Sequence, residues 1–283
     1  MLQAVHAGSL ILVLLAAEPG MVTVGPGSFT MGRDVGPTAD QKPPHVVKLS
    51  AFELDATLVT VAQFRAFADA TTYVSTAEKL GWGMTAVEGM DDWEWEKAPG
   101  ATWRKPWGAH DIPVQDDWPV VMVSWLDADR YCRHLGKRLP TEAEWEFAMR
   151  AGSSTLYPWG PTPLLPDGGV GLNYWQGGHS KNARKDPYVY LSPVKAFAAN
   201  AWGIHDPVGN VWQWTNDWYA ADTYAKDARG VTNPQGPKDG SMKVARGGSW
   251  WCSKDTCHGY GLSARGKTKP DAPYANNGFR CAR

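Results

Sequence analysis

Cysteine is scarce in this chain of 283 residues: only Cys132, Cys252, Cys257 and Cys281 occur. Structural zinc wants four ligands, usually as two short-spaced pairs, and here a single close pair stands without a second one or a histidine pair at ligand spacing. The HExxH zinc motif and the GxSxG elbow are also missing, so hydrolase readings lose their support. Histidines are scattered, and each, including His258 beside Cys257, reads as a surface or hydrogen-bonded residue. With 28 basic against 29 acidic residues there is neither a nucleic-acid footprint nor an acidic tail. Beyond the first twenty residues no run is apolar enough to cross a bilayer, so an integral membrane protein is not expected.

What is abundant is glycine (30), proline (21) and tryptophan (16), a composition of turns and loops held by large aromatic anchors rather than of a helical bundle. At 43% hydrophobic content the chain has ample material for a buried core. Leu10 to Ala17 form a short apolar run of signal-peptide length. The preceding segment lacks Lys and Arg, and Leu15 suits a cut after Ala17 poorly. The expectation is a leader over residues 1–20 and a periplasmic or secreted protein. The alternative is translation from Met21 and a cytoplasmic one.

Three helices are legible. Thr60-Val61-Ala62-Gln63 fits a capping box opening a helix to about Asp69, with Val61, Phe64, Phe67 and Ala68 on one face. Ser124 to Leu135 reads likewise, stopped by Gly136, and Thr141-Glu142-Ala143-Glu144 opens a third ending near Gly152. Elsewhere Gly, Pro, Asn and Asp alternate with isolated aromatics, which makes irregular loops. No repeat, low-complexity linker or internal boundary appears, so residues 21–283 are read as one domain.

Near the C-terminus, Arg246-Gly247-Gly248-Ser249-Trp250-Trp251-Cys252 leads through Ser253, Lys254, Asp255 and Thr256 to Cys257. Thiolates are soft donors that select Cu(I), zinc or iron–sulfur centres. On residue types alone a local disulfide, unpaired thiols, a two-thiolate Cu(I) site and zinc all stay open.

The order of larger blocks narrows this. Met21 to Gly32, Gly136-Lys137-Arg138-Leu139-Pro140-Thr141-Glu142-Ala143-Glu144-Trp145-Glu146, Gly203 to Trp214 with its Val-Gly-Asn-Val-Trp-Gln-Trp run, Arg246-Gly247-Gly248-Ser249 and Gly278-Phe279-Arg280-Cys281 together resemble the formylglycine-generating enzyme family, the sulfatase-modifying factors. The likeness runs from about residue 21 to residue 283. It implies an α+β, variant C-type-lectin-like fold with little regular secondary structure. It implies an oxidase that uses O2 to convert a cysteine of a sulfatase polypeptide, in a Cys-x-Pro-x-Arg-type motif, to Cα-formylglycine, acting as a monomer.

Residue by residue, the resemblance makes Cys252 and Cys257 the Cu(I) ligands, Ser249 a lining residue of the oxygen and substrate pocket, and Trp212 its wall. Plain core packing is the competing reading for Trp212. Trp103 and Arg104, in Trp103-Arg104-Lys105-Pro106, resemble part of the substrate groove. One calcium site would take Asn173 and Asp186 by side chain with the carbonyls of Tyr174 and Tyr188, at a spacing one residue shorter than usual. A second would take Asp206 and Gln213 by side chain with the carbonyls of Gly209 and Val211, Asp and Gln standing where Asn and Glu are usual. Cys132 and Cys281 match a disulfide pair of secreted relatives, worth about 4 kcal/mol or less in the chain-entropy account. A second disulfide of those relatives is replaced by Met149 and Leu262. Ser253 to Thr256, Gly259 and Gly261 depart from the family near the metal, which points to a different peptide or another thiol. Two alternatives keep the fold: a calcium-stabilised, lectin-like binding module with Cys252 and Cys257 as a disulfide, and a family oxidase maturing another exported product.

Overall fold

The computed structural model describes residues 20–35, 38–91, 94–177, 181–253 and 260–283. The apolar run Leu10 to Ala17, the loop residues Lys254 to Thr256, and Cys257, His258 and Gly259 lie outside the described residues. Along the chain come β1 (Met21–Val24), β2 (Gly27–Met31), β3 (His45–Leu49), β4 (Phe52–Asp55), α1 (Val61–Thr71) and α2 (Thr76–Leu80). Then follow β5 (Trp82–Thr85), β6 (Glu96–Pro99), α3 (Trp125–His134) and α4 (Glu142–Arg150). The last third holds β7 (Trp212–Trp218), α5 (Thr223–Lys226), β8 (Val231–Thr232), β9 (Lys243–Arg246), β10 (Arg265–Thr268) and β11 (Asn277–Gly278). Of the described residues 17% are helix and 22% strand, the low regular content of an α+β fold that the resemblance implied.

The longer helices begin where the sequence says they should. Thr60, Ser124 and Thr141 each accept a hydrogen bond from the amide three residues on, and Gln63, Asp127 and Glu144 reach back to the cap amide. Two of the four orphan donors at each start are thereby satisfied. The same device opens the short α2, where Ser75 and Glu78 reciprocate.

Four strands form the sheet that matters for the site, in the order β10-β9-β7-β11. β9 pairs antiparallel with β10 and β7, while β11 lies parallel to β7 with Asn277 opposite Trp212. A register shift between Trp214 and Trp218 interrupts the β7–β9 ladder. Alternation along β7 puts Gln213 and Trp214 on opposite faces. Trp214 donates its indole N–H to the Val123 carbonyl at 3.1 Å, and Gln213 meets Trp145 of α4.

Two large apolar clusters and a small third one, of Ala77, Ala98, Ala101, Met122 and Ala275, fill the interior. One gathers Phe64, Phe67, Trp103, Trp107, Tyr131, Trp214, Trp250 and Phe279, and the other Val47, Leu54, Trp145, Phe147, Met149 and Leu262; Trp212 packs against both. Met149 and Leu262, at the positions of the absent second disulfide, are fully buried in the same cluster, so packing stands in for the bond. The Cys132–Cys281 disulfide is present, with Cα atoms 5.6 Å apart, and ties α3 to the C-terminus.

Beneath β9 and β10 lies a buried charged layer. Arg246 pairs with Glu142 at 2.6 Å and with Glu146, Arg265 pairs with Glu142 at 2.7 Å, and Arg150 pairs with Glu146 at 2.7 Å. Burial opposes ionisation of Glu142, yet Arg265 and Arg246 hold its pKa down at about 2. Such pairing fixes α4 under the strand that leads into Ser249 and Cys252. Among the described residues no helix is long and apolar enough to cross a membrane.

Candidate functional site

β9 ends at Arg246, and the chain then turns through Gly247 (φ +94°) and Gly248 (φ +70°), a backbone region where a side chain is strained. A Cβ on Gly247 would also sit 3.0 Å from the Trp145 ring. Gly247 is therefore required twice over, by conformation and by the closeness of α4, and Gly248 by conformation. Past it the segment is pinned on both sides. Gly209 donates to the Gly247 carbonyl at 2.7 Å, Trp250 to the Asn210 carbonyl at 2.9 Å, and Trp175 to the Cys252 carbonyl at 2.9 Å.

Ser249 is fully buried and Cys252 is 2% exposed. The serine Oγ lies 3.6 Å from the Cys252 Sγ. Asn276 donates from Nδ2 to the same Oγ at 3.0 Å, and its own carbonyl accepts from the Trp212 amide at 2.8 Å. With one lone pair of the hydroxyl taken by Asn276, its proton is free to turn toward the sulfur. Cys252, Ser249, Asn276 and the start of β7 thus form one constellation. Trp212, half-buried at its rim, has its backbone tied to it.

Asn276 is the member that sequence reasoning missed. As bare sequence, Asn276-Asn277-Gly278 reads as a turn before the Gly-Phe-Arg-Cys block. Only the parallel pairing of β11 with β7 brings it to Ser249.

Cys252 carries its sulfur in a disulfide in this structure. Its expected copper partner Cys257 lies outside the described residues. A soft monovalent metal needs thiolates, and in the reduced chain the buried Cys252 sulfur beside a hydroxyl donor has the chemistry of a Cu(I) ligand.

The groove residues separate. Trp103 is fully buried, packing edge-on to Phe64 at 5.2 Å, so its ring lies beneath the surface. Arg104 is exposed, stacked 4.0 Å over the Trp103 ring and paired with Asp69 at 2.7 Å. Trp103 is then the platform and Arg104 the reachable group.

At the first expected calcium site the donors suit a hard cation. Asn173 is 1% exposed, its Nδ2 donates to the Tyr190 carbonyl at 2.7 Å, and its Oδ1 is buried without a partner. Asp186 is buried nearby in sequence, accepts from the Tyr188 amide at 2.8 Å and from Gln176, and burial raises its pKa to about 6. A buried carboxylate and an orphaned amide oxygen are both acceptors that a hard cation would satisfy.

The second expected site does not fit. Gln213 is fully buried, and its Oε1 already accepts from Trp145 Nε1 at 2.8 Å and Arg280 Nε at 2.8 Å. Its Nε2 donates to the Asp206 carbonyl at 2.9 Å. The Asp206 carboxylate accepts from the Lys195 amide and from Asn210 Nδ2, both at 3.3 Å. Gly209 and Val211 are joined by a local bond, the Val211 amide to the Gly209 carbonyl at 2.8 Å.

A family profile described as the sulfatase-modifying factor enzyme 1-like domain matches residues 14–283. A formylglycine-generating enzyme of Thermomonospora curvata is 40% identical, the match covering 93% of each chain. A protein of Mus musculus named inactive C-alpha-formylglycine-generating enzyme 2 is 36% identical over 94% of this chain and 86% of its own. The solved structure of PvdO from Pseudomonas aeruginosa superposes with a TM-score of 0.71 at 25% identity, covering 94% of both chains.

Proposed function

We propose, from the premise that this chain belongs to the sulfatase-modifying factor family, that it is a formylglycine-generating oxidase acting on a cysteine of a sulfatase polypeptide. The observation that carries the reading is the buried Cys252, 3.6 Å from a Ser249 hydroxyl that Asn276 orients. An arrangement of this kind suits a sulfur that must be ionised: the Ser249 O–H points at the place where negative charge sits, and charge-assisted hydrogen bonds are the strong ones.

In the reduced chain Cys252 and Cys257 would hold Cu(I) as thiolates, and the metal would supply the one-electron chemistry that dioxygen requires. The chain's own residues do the rest. Ser249 donates to sulfur in the pocket and Asn276 keeps that hydroxyl from rotating away. Trp212 forms a wall beside the reacting β-carbon, and the exposed Arg104 on its Trp103 platform offers a contact for an extended peptide. For the substrate, CH2SH loses two protons and two electrons, the electrons passing to dioxygen. The thioaldehyde then takes up water and releases hydrogen sulfide to leave the aldehyde.

Calcium at Asn173, Asp186 and the carbonyls of Tyr174 and Tyr188 completes the proposal as a structural ion. The Cys132–Cys281 bridge supports export to an oxidising compartment.

A second reading rests on a specific observation. The sulfur of Cys252 is disulfide-bonded, and a relative of 36% identity is named inactive. A calcium-stabilised binding module would keep that bond permanently. Cu(I) stoichiometry on reduced, anaerobic protein separates the two: the oxidase takes up one copper per chain and loses it in Cys252→Ser, whereas a binding module takes up none.

A further inference from the structure

We infer that the position of Asp206, Gly209, Val211 and Gln213 is not a calcium site in this protein but a metal-free hydrogen-bond lock, in which the Arg280 guanidinium is the resident cation. This goes beyond the oxidase reading and stands whether or not that reading holds, because it concerns only what holds the scaffold under the Ser249 segment together.

Everything turns on one amide. A glutamine side chain has a single acceptor oxygen, with two lone pairs, and an NH2 that can only donate. Both groups facing Gln213 Oε1, the Trp145 indole N–H and the Arg280 Nε–H, are donors without acceptor capacity. Rotating the amide by a half turn would put NH2 against two N–H groups, so the orientation is fixed by its neighbours. The oxygen is therefore spent, and the atom aimed at the Asp206 carbonyl is a nitrogen donating at 2.9 Å. Calcium asks for six to eight oxygens at about 2.3–2.6 Å, and an NH2 held against the Asp206 carbonyl supplies none.

Arg280 closes the argument from the other side. It is fully buried, and besides Gln213 it donates from Nη1 to the Asp55 carbonyl at 3.1 Å and from Nη2 to the carbonyls of His205 at 2.8 Å and Asp206 at 3.1 Å. The Asp206 carbonyl thus receives a cationic donor as well as the Gln213 amide. A dication placed here would lie beside a buried guanidinium, in a medium where like charges repel strongly. A glutamate at residue 213 would differ in one decisive respect: its second oxygen would replace the NH2, leaving one oxygen for Trp145 and Arg280 and one for a metal. The Glu-to-Gln change thus converts a ligand into a strut.

The test is calcium counting on the full-length protein, stripped with chelator and titrated with calcium alone, followed by calorimetry and elemental analysis. One calcium per chain is expected, lost in Asp186→Asn and retained in Asp206→Asn. Gln213→Glu should gain a second equivalent, with a thermal midpoint that rises on calcium addition more than the parent's does. Circular dichroism shows that each variant is folded before it is counted. Two calcium ions in the parent, or one that is lost in Asp206→Asn and kept in Asp186→Asn, would overturn the inference, as would a folded Gln213→Glu that gains none. No calcium at all in the parent would remove the first site and leave the lock standing.

Discussion

Asn276 acts on the chemistry only through Ser249, and that makes its contribution measurable. A hydrogen bond involving an ionised partner contributes about 1.5–3 kcal/mol, so Asn276→Ala should lower kcat/KM by roughly 10- to 150-fold. Ser249→Ala should do about the same. Because both changes disable one relay, the double variant should be little worse than either single one, and full additivity in that cycle would show that the two act separately. The pair also shows how far single residues were readable. Ser249 stands in a recognisable block three residues before Cys252, while Asn276 is a turn-type residue whose role exists only once β11 lies beside β7. Gln213 was visible as a departure from the family pattern. Its consequence was not, since which atom of an amide faces a metal depends on Trp145 and Arg280, 68 and 67 residues away in sequence.

The helix α4 and the strands above it carry the densest electrostatics. Arg246 and Glu146 are both fully buried, so Glu146→Ala leaves two guanidinium groups, Arg246 and Arg150, short of their carboxylate. Breaking a buried pair in this way costs about 3–5 kcal/mol, which should appear as a large drop in the thermal midpoint. Asp217, in β7, accepts from the Glu142 amide at 2.7 Å and has its pKa raised from 3.8 to about 8, by burial first and the neighbouring Glu142 charge second. The folded protein therefore keeps a proton that the unfolded chain releases. Its stabilising contribution is full below the unfolded value of 3.8 and is lost as pH rises through the folded value of about 8. Asp217→Asn should remove that dependence, so the variant's thermal midpoint should gain on the parent's between about pH 5 and about pH 9; parallel curves would contradict the assignment. Helices α1, α3 and α4 were legible because capping boxes are local signals. The strands were not: β8 and β11 have two residues each, and their pairing is set by partners more than 60 residues distant, which periodicity cannot see.

At the scale of the whole molecule, one covalent bridge closes a long loop. Cys132 and Cys281, 149 residues apart, join α3 to the last strand region, and Arg138 exchanges backbone hydrogen bonds with Ala282 beside them. Removing the bridge in Cys132→Ala/Cys281→Ala should cost about 2–5 kcal/mol, read as a thermal midpoint below that of the oxidised parent. Abundant tryptophan, glycine and proline announced a loop-rich body around aromatic anchors, and Trp103, Trp107, Trp145, Trp214 and Trp250 are indeed its largest fully buried side chains. Composition could not say that two large clusters would form, or that the Ser249–Cys252 segment would run from one to the other. The proposed oxidation of a peptidyl cysteine at this segment is read by mass spectrometry of a Cys-x-Pro-x-Arg peptide incubated in air with reduced, copper-loaded protein, beside Cys252→Ser. The parent alone should produce the mass change of CH2SH becoming CHO. Copper-loaded parent that leaves the peptide unchanged, or a Cys252→Ser variant that converts it equally well, would contradict it.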